Sequence, residues 1–438
     1  MNRHLRLVLL ATLLAALACS FPSTPGAPSE SLTPGEPTLS PEAPGPGETT
    51  PPATEVPLPP VGEPVFRIVY TDAGNVWVLE QDGSSHPLTT DGMASDVLIS
   101  SDGARIAYLL RAAPDFHGEL RAINADGSAA GVLLTAAQLD AFYPIGEGSV
   151  GTDISQIAFI PGTHQLIFNT YLIPEAVGFT KHDDLWIIDA DTAVLTSLLP
   201  AGEGGDFLVS PDGMTTAVIT PTSLGMIDLD GTNHRQDLIT YPWVITYSEF
   251  LFYPLGVWTA DSTALGATIP SEDPLIDSVS GTLWRVPAGS GPASGLATIP
   301  GNFYFHFWQH SALSPDLGRV AFSRRAGVDD EDLILAQTDG TGQVIYATGE
   351  WDWEGWSPDS THFAYSFGSP SSLMIGAAGG PPMPLAPGTD FRWIDNMEYL
   401  FLAGSAGSWI LVRGTIGGAP PQALVSPAGD FVSYDFTR

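Results

Sequence analysis

Short runs of hydrophobic residues recur from about residue 64 to residue 438, and turn-forming residues separate them. Examples are Ile-Ala-Tyr at 106–108, Val-Ala-Phe at 320–322 and Phe-Ala-Tyr at 363–365. Short apolar runs bounded by Gly, Pro, Asp and Ser are typical of β-strands joined by tight turns. The pattern therefore predicts an all-β protein.

One turn motif precedes many of these runs: an apolar residue or Trp, followed by Ser-Pro-Asp-Gly or a variant. It occurs at residues 100–103, 210–213, 258–262, 314–316 and 356–360, with weaker copies at 160–163 and 393–396. Pro presets φ, Asp bonds its own backbone and Gly accepts a positive φ, so the motif is typical of a turn. Asp-Gly follows a later run at 126–127, 230–231 and 339–340. Four short antiparallel strands per repeat describe a β-propeller blade.

The Ser-Pro-Asp-Gly turn, the Ile-Ala-Tyr type of strand and the Asp-x-Asp-Gly turn together resemble the repeats of TolB-type propellers, which are relatives of WD-repeat proteins. The resemblance covers residues 64–438 and implies the propeller fold. It implies no particular activity, because this scaffold hosts many unrelated functions.

The second strands of the repeats number eight, which predicts an eight-bladed propeller; seven blades are the alternative if two weak units merge. These strands lie near Ile68, Ile106, Ile167, Val218, Leu265, Val320, Phe363 and Leu400. The first unit has no inner strand of its own, whereas residues 431–436 form a strand without a unit. We expect this C-terminal strand to pair into blade one and close the ring, which removes open sheet edges.

The N-terminus is typical of an export signal. Arg3 and Arg6 precede an apolar stretch, and small residues lead to Cys19, the one cysteine of the chain. A basic start, a short apolar stretch and a small-residue processing site mark a cleaved signal and not a membrane-spanning helix. Residues 1–18 resemble a bacterial lipoprotein signal, which implies lipidation of Cys19 and an envelope location; an ordinary signal with an incidental cysteine is the alternative.

Residues 19–63 consist mainly of Pro, Ser, Thr, Gly and Glu. This composition cannot bury enough apolar surface to offset chain entropy, so we expect a disordered tether. Its prolines favour extended conformations, and such a tether spans on the order of 100 Å.

Insertions are expected on one face of the propeller. Links from the second to the third strand, and from the fourth strand to the next blade, share one side of a propeller, here called the loop-rich face. Nearly all the long links of the sequence are of these two kinds: 136–153, 171–183, 241–254, 271–280 and 301–310. Binding usually resides in such loops, and aromatic residues there either pack the propeller or bind a sugar or peptide. The candidate ligand-binding residues are Trp243, Tyr247, His306, Trp308, His310, Trp351 and Trp353.

The charge and the motifs of the chain argue against several classes of function. The net charge of −34 repels phosphate backbones, so we expect no nucleic-acid partner. No Gly-x-Ser-x-Gly elbow, P-loop or His-Glu-x-x-His occurs. We therefore predict no catalytic residue, metal site or cofactor, with the acidic segments 183–184 and 329–332 as alternative Ca²⁺ ligands.

These observations predict a monomeric, non-catalytic binding or scaffolding module of the bacterial envelope, bound to the membrane only through its lipid anchor. Its partner is expected to be an envelope protein or glycan. The alternative is an envelope carbohydrate-active enzyme, a lyase or glycosidase, with its active site at the central mouth of the ring.

Overall fold

The computed structural model describes residues 65–112, 117–175, 180–247, 250–270, 279–304, 306–307, 309–327, 330–369 and 371–437. The predicted signal at residues 1–18, the lipidation site Cys19 and the tether at 19–63 lie outside these residues. Within them, antiparallel strands dominate, as the alternation of apolar runs and turns predicts.

The first half of the described chain forms four blades. Blade one contains β1 (Arg67–Asp72), β2 (Asn75–Glu80) and β3 (Ser85–Pro87). Blade two contains β4 (Ala94–Ile99), β5 (Arg105–Ala112), β6 (His117–Asn124) and β7 (Gly131–Leu134). Helix α1 (Ala136–Asp140) precedes blade three, which contains β8 (Ser149–Phe159), β9 (Gln165–Pro174), β10 (Thr180–Lys181), β11 (Leu185–Asp189) and β12 (Leu195–Leu199). Blade four contains β13 (Asp206–Val209), β14 (Thr215–Ile219), β15 (Ser223–Asp228) and β16 (Arg235–Thr240).

The second half begins with a hairpin, β17 (Ile245–Tyr247) and β18 (Phe250–Leu251). Blade five contains β19 (Gly256–Trp258), β20 (Ala264–Pro270), β21 (Ser280–Pro287) and β22 (Ser294–Pro300). Blade six contains β23 (Arg319–Arg325), β24 (Glu331–Gln337) and β25 (Val344–Gly349). Blade seven contains β26 (Trp351–Trp356), β27 (His362–Phe367), β28 (Ser372–Ala377) and the first part of β29 (Met383–Trp393). Blade eight contains the rest of β29, β30 (Glu398–Ser405), β31 (Ser408–Thr415) and β32 (Gln422–Val425), and β33 (Tyr434–Phe436) ends the chain.

Eight blades occupy seven sheets of three or more strands in the described residues, because one seven-stranded sheet contains two blades. Its shared strand, β29, pairs with β28 through its first residues and with β30 from Gly388 onward. Blade six has three regular strands, and two isolated bridges, Leu313 with Val320 and Asn302 with Ser323, lie where its first strand would run.

The ring closes as predicted. β33 pairs antiparallel with β1 and completes the sheet of blade one. The closing strand is shorter than the predicted 431–436, and Phe431 is 93% exposed. Tyr434 and Phe436 are buried with Leu400 and Leu411 of blade eight, so the C-terminus joins the first and last blades.

The hydrophobic core lies between neighbouring blades. Val69 of blade one packs with Ile106 of blade two, and Leu185 of blade three packs with Val218 of blade four. Second strands are buried along their length, as in β14 and β20, whereas the fourth strand β22 is mostly exposed.

Three links predicted as loops are partly β-structure: 136–153, 171–183 and 241–254, the last of which contains the hairpin β17–β18. β8 begins at Ser149 and β9 continues to Pro174, so these two strands form a long ladder that rises from blade three. β10 adds a fifth strand beside β9. The hydrophobic pattern predicts no strand in this ladder, because the extension alternates weakly and contains Gly151 and Pro174.

Candidate functional site

A cavity of about 700 Å³ lies between blades three and four. Its lining residues come from the links of the loop-rich face, from blade four and from the hairpin β17–β18. They are Asp183, Gly202, Glu203, Val218, Thr220, Pro221, Thr222, Ser223, Gly225, His234, Gln236, Asp237, Trp243 and Leu251.

The cavity coincides with an unusual residue pair in blade four. In every blade, the fourth residue of the second strand pairs with a residue of the third strand. The pairs, in blade order, are Tyr70–Trp77, Tyr108–Arg121, Phe168–Trp186, Val218–Gly225, Ala267–Trp284, Phe322–Ile334, Tyr365–Met374 and Phe401–Val412. Only the pair of blade four lacks an aromatic ring, so less side-chain volume fills its crevice with blade three.

Gly225 also lets the outer strand approach closely. A Cβ at this position would lie 2.8 Å from the carbonyl oxygen of Arg235 on β16, closer than real Cβ atoms come to such an oxygen. A side chain therefore cannot be added at Gly225 without moving β16.

Two tyrosines fix the insertion that bears the hairpin. At its start, the hydroxyl of Tyr241 donates to the carbonyl oxygens of Thr220 (2.9 Å) and Ser223 (2.8 Å). At its end, the hydroxyl of Tyr253 donates to Oδ1 of Asp183 at 3.0 Å. Since Thr220, Ser223 and Asp183 all line the cavity, both ends of the insertion are bonded to its wall.

The lining is acidic. Asp183, Glu203 and Asp237 contribute carboxylates, and no Lys or Arg occurs among the described residues that line the cavity. The nearby Lys181 forms an ion pair with Asp206 and lies 4.2 Å from the ring centroid of Tyr253. Burial raises the pKa of Asp183, and the Tyr253 hydroxyl and Lys181 only partly offset this effect.

The predicted ligand-binding residues divide between two places. Trp243 lines the cavity and is 58% exposed. Tyr247 lies on β17, and its side chain is outside the described part, as is all of Trp308. His306, His310, Trp351 and Trp353 lie together around blades six and seven.

Trp351 and Trp353 belong to strand β26 and are buried in the core, with 2% and 4% exposure. The indole of Trp353 donates to the carbonyl oxygen of Ser311 at 3.0 Å. His310 is half-buried beside Gly355. These two tryptophan rings therefore pack the blades in this structure and present no open face to a ligand.

His306 is an ion-paired residue within this second group. Its Nδ1 lies 2.6 Å from the carbonyl oxygen of Trp351 and its Nε2 lies 3.1 Å from Oε2 of Glu331. Both partners are acceptors, so both ring nitrogens donate and the imidazole is protonated. Burial alone lowers the pKa of His306, but the carboxylates of Asp352 and Glu331 outweigh it and raise the pKa to about 9.

Two carboxylates of the acidic segments considered for Ca²⁺ have other partners. Asp184 is buried and accepts hydrogen bonds from Thr170 and Trp186, and Asp332 accepts from Thr348. Asp329 lies outside the described residues. In the part of the chain that the structure describes, no three His, Cys, Asp or Glu side chains come together as a metal site would require.

Sequence reasoning missed most of the cavity wall, including Glu203, Thr222, His234 and Asp237. One signal was present: aligning the eight repeats by their turns places Gly225 where the other blades have a larger side chain.

The described ranges contain no helix that is long and apolar enough to span a membrane.

No family model matches the chain, and no curated protein matches it. The solved structures with a similar fold include a eukaryotic initiation factor, 10% identical over 86% of this chain and 99% of that chain, with a TM-score of 0.49. TolB from Acinetobacter baumannii is 13% identical over 83% of this chain and 78% of that chain (TM-score 0.39). The β-propeller domain of the Trilobed protease from Pyrococcus furiosus is 12% identical over 76% of this chain and 97% of that chain (TM-score 0.43). These likenesses concern the fold alone.

Proposed function

We propose that this protein is a non-catalytic binding module of the bacterial envelope that receives part of an envelope protein or glycan in the cavity between blades three and four. In this proposal a lipid on Cys19 and the tether at 19–63 display a monomeric propeller from a membrane, and no nucleic acid is bound.

The cavity is the observation that supports this function. Ligand sites are usually concave, roughly 300–1,000 Å³ in volume, and lined by apolar groups with a few polar ones. The cavity of about 700 Å³ falls in this volume range, and its lining combines Trp243 and Leu251 with a larger share of carboxylates and hydroxyls. It lies among the links of the loop-rich face, where binding by a rigid scaffold is expected.

The alternative is an envelope carbohydrate-active enzyme, a lyase or glycosidase, which the sequence predicts with its active site at the central mouth of the ring. The cavity offers such an enzyme a second candidate site. His234 lies in the lining together with three carboxylates, and glycosidases use paired carboxylates as acid, base or nucleophile. This alternative requires turnover of a glycan, whereas the binding module requires only complex formation.

A thermal-shift screen of the full chain in detergent micelles tests the proposal, with envelope glycans, peptidoglycan fragments and peptides as ligands. A ligand that binds only the folded state raises the melting temperature. Each ligand that binds is then tested with Thr222→Trp, which places an indole in the cavity from an exposed link.

The matched control is Ala406→Trp, because Ala406 is exposed in the same kind of link, between the second and third strands of blade eight. We expect Thr222→Trp to abolish the shift and Ala406→Trp to preserve it, with both variants keeping the wild-type circular dichroism spectrum. Ligands that bind equally well to both variants would show that the cavity is not the site. Product release from a glycan, measured in the same samples, would establish the enzyme instead.

A further inference from the structure

The lining of the cavity carries negative charge, which the neighbouring Lys181 offsets only in part. Glu203 and Asp237 are exposed at its rim, and Asp183 lies deeper, where burial raises the cost of its charge. The cation closest in sequence to Asp183, Lys181, already forms an ion pair with Asp206. A concave site lined by one sign of charge concentrates ligands of the opposite sign.

The arrangement of the carboxylates suits an extended cation better than a metal ion. Asp183 precedes β11, Glu203 lies in the link from β12 to β13, and Asp237 is on β16, so three separate elements supply the charges. A bare metal ion needs oxygen ligands at about 2–2.6 Å, whereas an ammonium or guanidinium group on a stem contacts acceptors distributed along a wall.

Trp243 adds a surface for the same kind of ligand. Its side chain is 58% exposed at the cavity, and the apolar Leu251 is 42% exposed nearby. The face of an indole attracts cations, and Trp is the best of the aromatic side chains in this respect. The carboxylates of the lining can therefore bind the charged group of an organic cation, and the apolar residues can contact its stem.

We propose that the group that enters this cavity is an organic cation, an ammonium or guanidinium on a short stem. This inference rests on the proposed function, since it names the chemistry of the group received at the same site. A basic side chain of an envelope protein and an amino sugar of an envelope glycan both supply such a group.

Two pairs of probes test the charge directly by isothermal titration of the full chain in detergent. Nα-acetyl-arginine amide is compared with Nα-acetyl-citrulline amide, and glucosamine is compared with N-acetylglucosamine. Within each pair the first compound is cationic and the second is neutral. We expect a cationic member to bind and its neutral counterpart not to, and the pair that responds identifies a protein or a glycan as the source.

Variants then locate the interaction. Glu203→Gln and Asp237→Asn together keep the shape of the rim and remove two charges, and we expect about tenfold weaker binding of the cation. Trp243→Ala is expected to weaken binding by about threefold. The control Glu350→Gln changes an exposed glutamate in the equivalent link, from blade six to blade seven, and leaves binding unchanged.

The outcomes separate this inference from the proposed function. The inference is overturned if neither cation binds, if the neutral members bind as tightly, or if the double variant retains full affinity. If a neutral or anionic ligand from the screen still binds wild type and fails with Thr222→Trp, the binding function stands without the cation. If every ligand tolerates Thr222→Trp, the proposed function itself fails.

Discussion

At the scale of single residues, the protonation of His306 depends on partners from other segments of the chain. The imidazole of His306 stacks on the ring of Trp351 with centroids 3.9 Å apart and contacts Glu331 and Asp352. The side chain of His306 is only 14% exposed, whereas those of Glu331 and Asp352 are 33% and 47% exposed. The protonated state of His306 therefore contributes to folding stability.

The pH dependence of that contribution follows from the sign of the shift. The pKa of His306 is raised to about 9 in the folded chain, while the unfolded value is about 6.5. The stabilisation is thus fully present below about pH 6.5 and is lost as the pH rises through about 9, with a size on the order of 3 kcal/mol.

We expect the difference in unfolding free energy between wild type and His306→Gln to be larger at pH 6 than at pH 10 by about that amount. Urea unfolding of both proteins across this range measures it. Other titrating groups cancel in the difference, so parallel pH profiles would mean that His306 is not protonated in the folded state.

At the scale of the element, the repeated turn combines two functions. In blade six the hydroxyl of Ser314 donates to Oδ1 of Asp316 at 2.6 Å and accepts from the backbone N–H of Arg319 at 2.9 Å. The same turn contacts the next blade, because the N–H of Asp316 donates to the hydroxyl of Ser360 at 2.9 Å. Pro-Asp turns in this protein thus shape a hairpin and also join neighbouring blades.

Ser314→Ala removes a hydroxyl that is 0% exposed and leaves the backbone N–H of Arg319 without its acceptor. We expect a loss of about 1–3 kcal/mol in unfolding free energy. The control is Thr341→Ala in the outer turn of the same blade, where the Thr341 hydroxyl donates to Asp339 at 2.6 Å but both residues have access to solvent. That change is expected to cost less than about 0.5 kcal/mol. Chemical denaturation compares the two, and equal losses would contradict a special role for the buried turn.

At the scale of the whole molecule, stability depends on ring closure, because β33 pairs with β1, which lies more than 350 residues earlier in the chain. The N–H of Arg67 donates to the hydroxyl of Thr437 at 3.1 Å, and the N–H of Ile99 donates to Asp435 at 3.0 Å. The closing strand therefore bonds to blade one and to the first strand of blade two.

Phe436→Ala removes a ring that is 1% exposed between blades one and eight, and we expect a loss of about 3–5 kcal/mol in stability. Phe431 provides a control in the same segment, since it is 93% exposed. Phe431→Ala is expected to change stability by no more than about 0.5 kcal/mol. Thermal unfolding followed by circular dichroism distinguishes the variants, and a small effect of Phe436→Ala would show that closure contributes little.

The sequence by itself determined the class of fold and the closure by the C-terminal strand, and it predicted eight blades with seven as the alternative. These features depend on local interactions that repeat: Ser and Asp bond their own turn, and each apolar run needs a partner strand. Blade one lacks a first strand of its own, and the C-terminal strand belongs to no other blade. Pairing between the two supplies the missing strand. The repeats therefore defined the ring before any distance was known.

Only the tertiary structure decided which of the candidate residues share a site. Trp243 was selected for its aromatic ring and lines the cavity, whereas Trp351 and Trp353 were selected for the same reason and are buried. Glu203 and Asp237 are ordinary surface residues in the sequence, and they line one cavity because blades three and four meet there and Val218 and Gly225 leave the crevice unfilled. Such a site depends on the distance between blades, which no local pattern encodes; the alignment of the repeats indicates only that Gly225 is smaller than its counterparts.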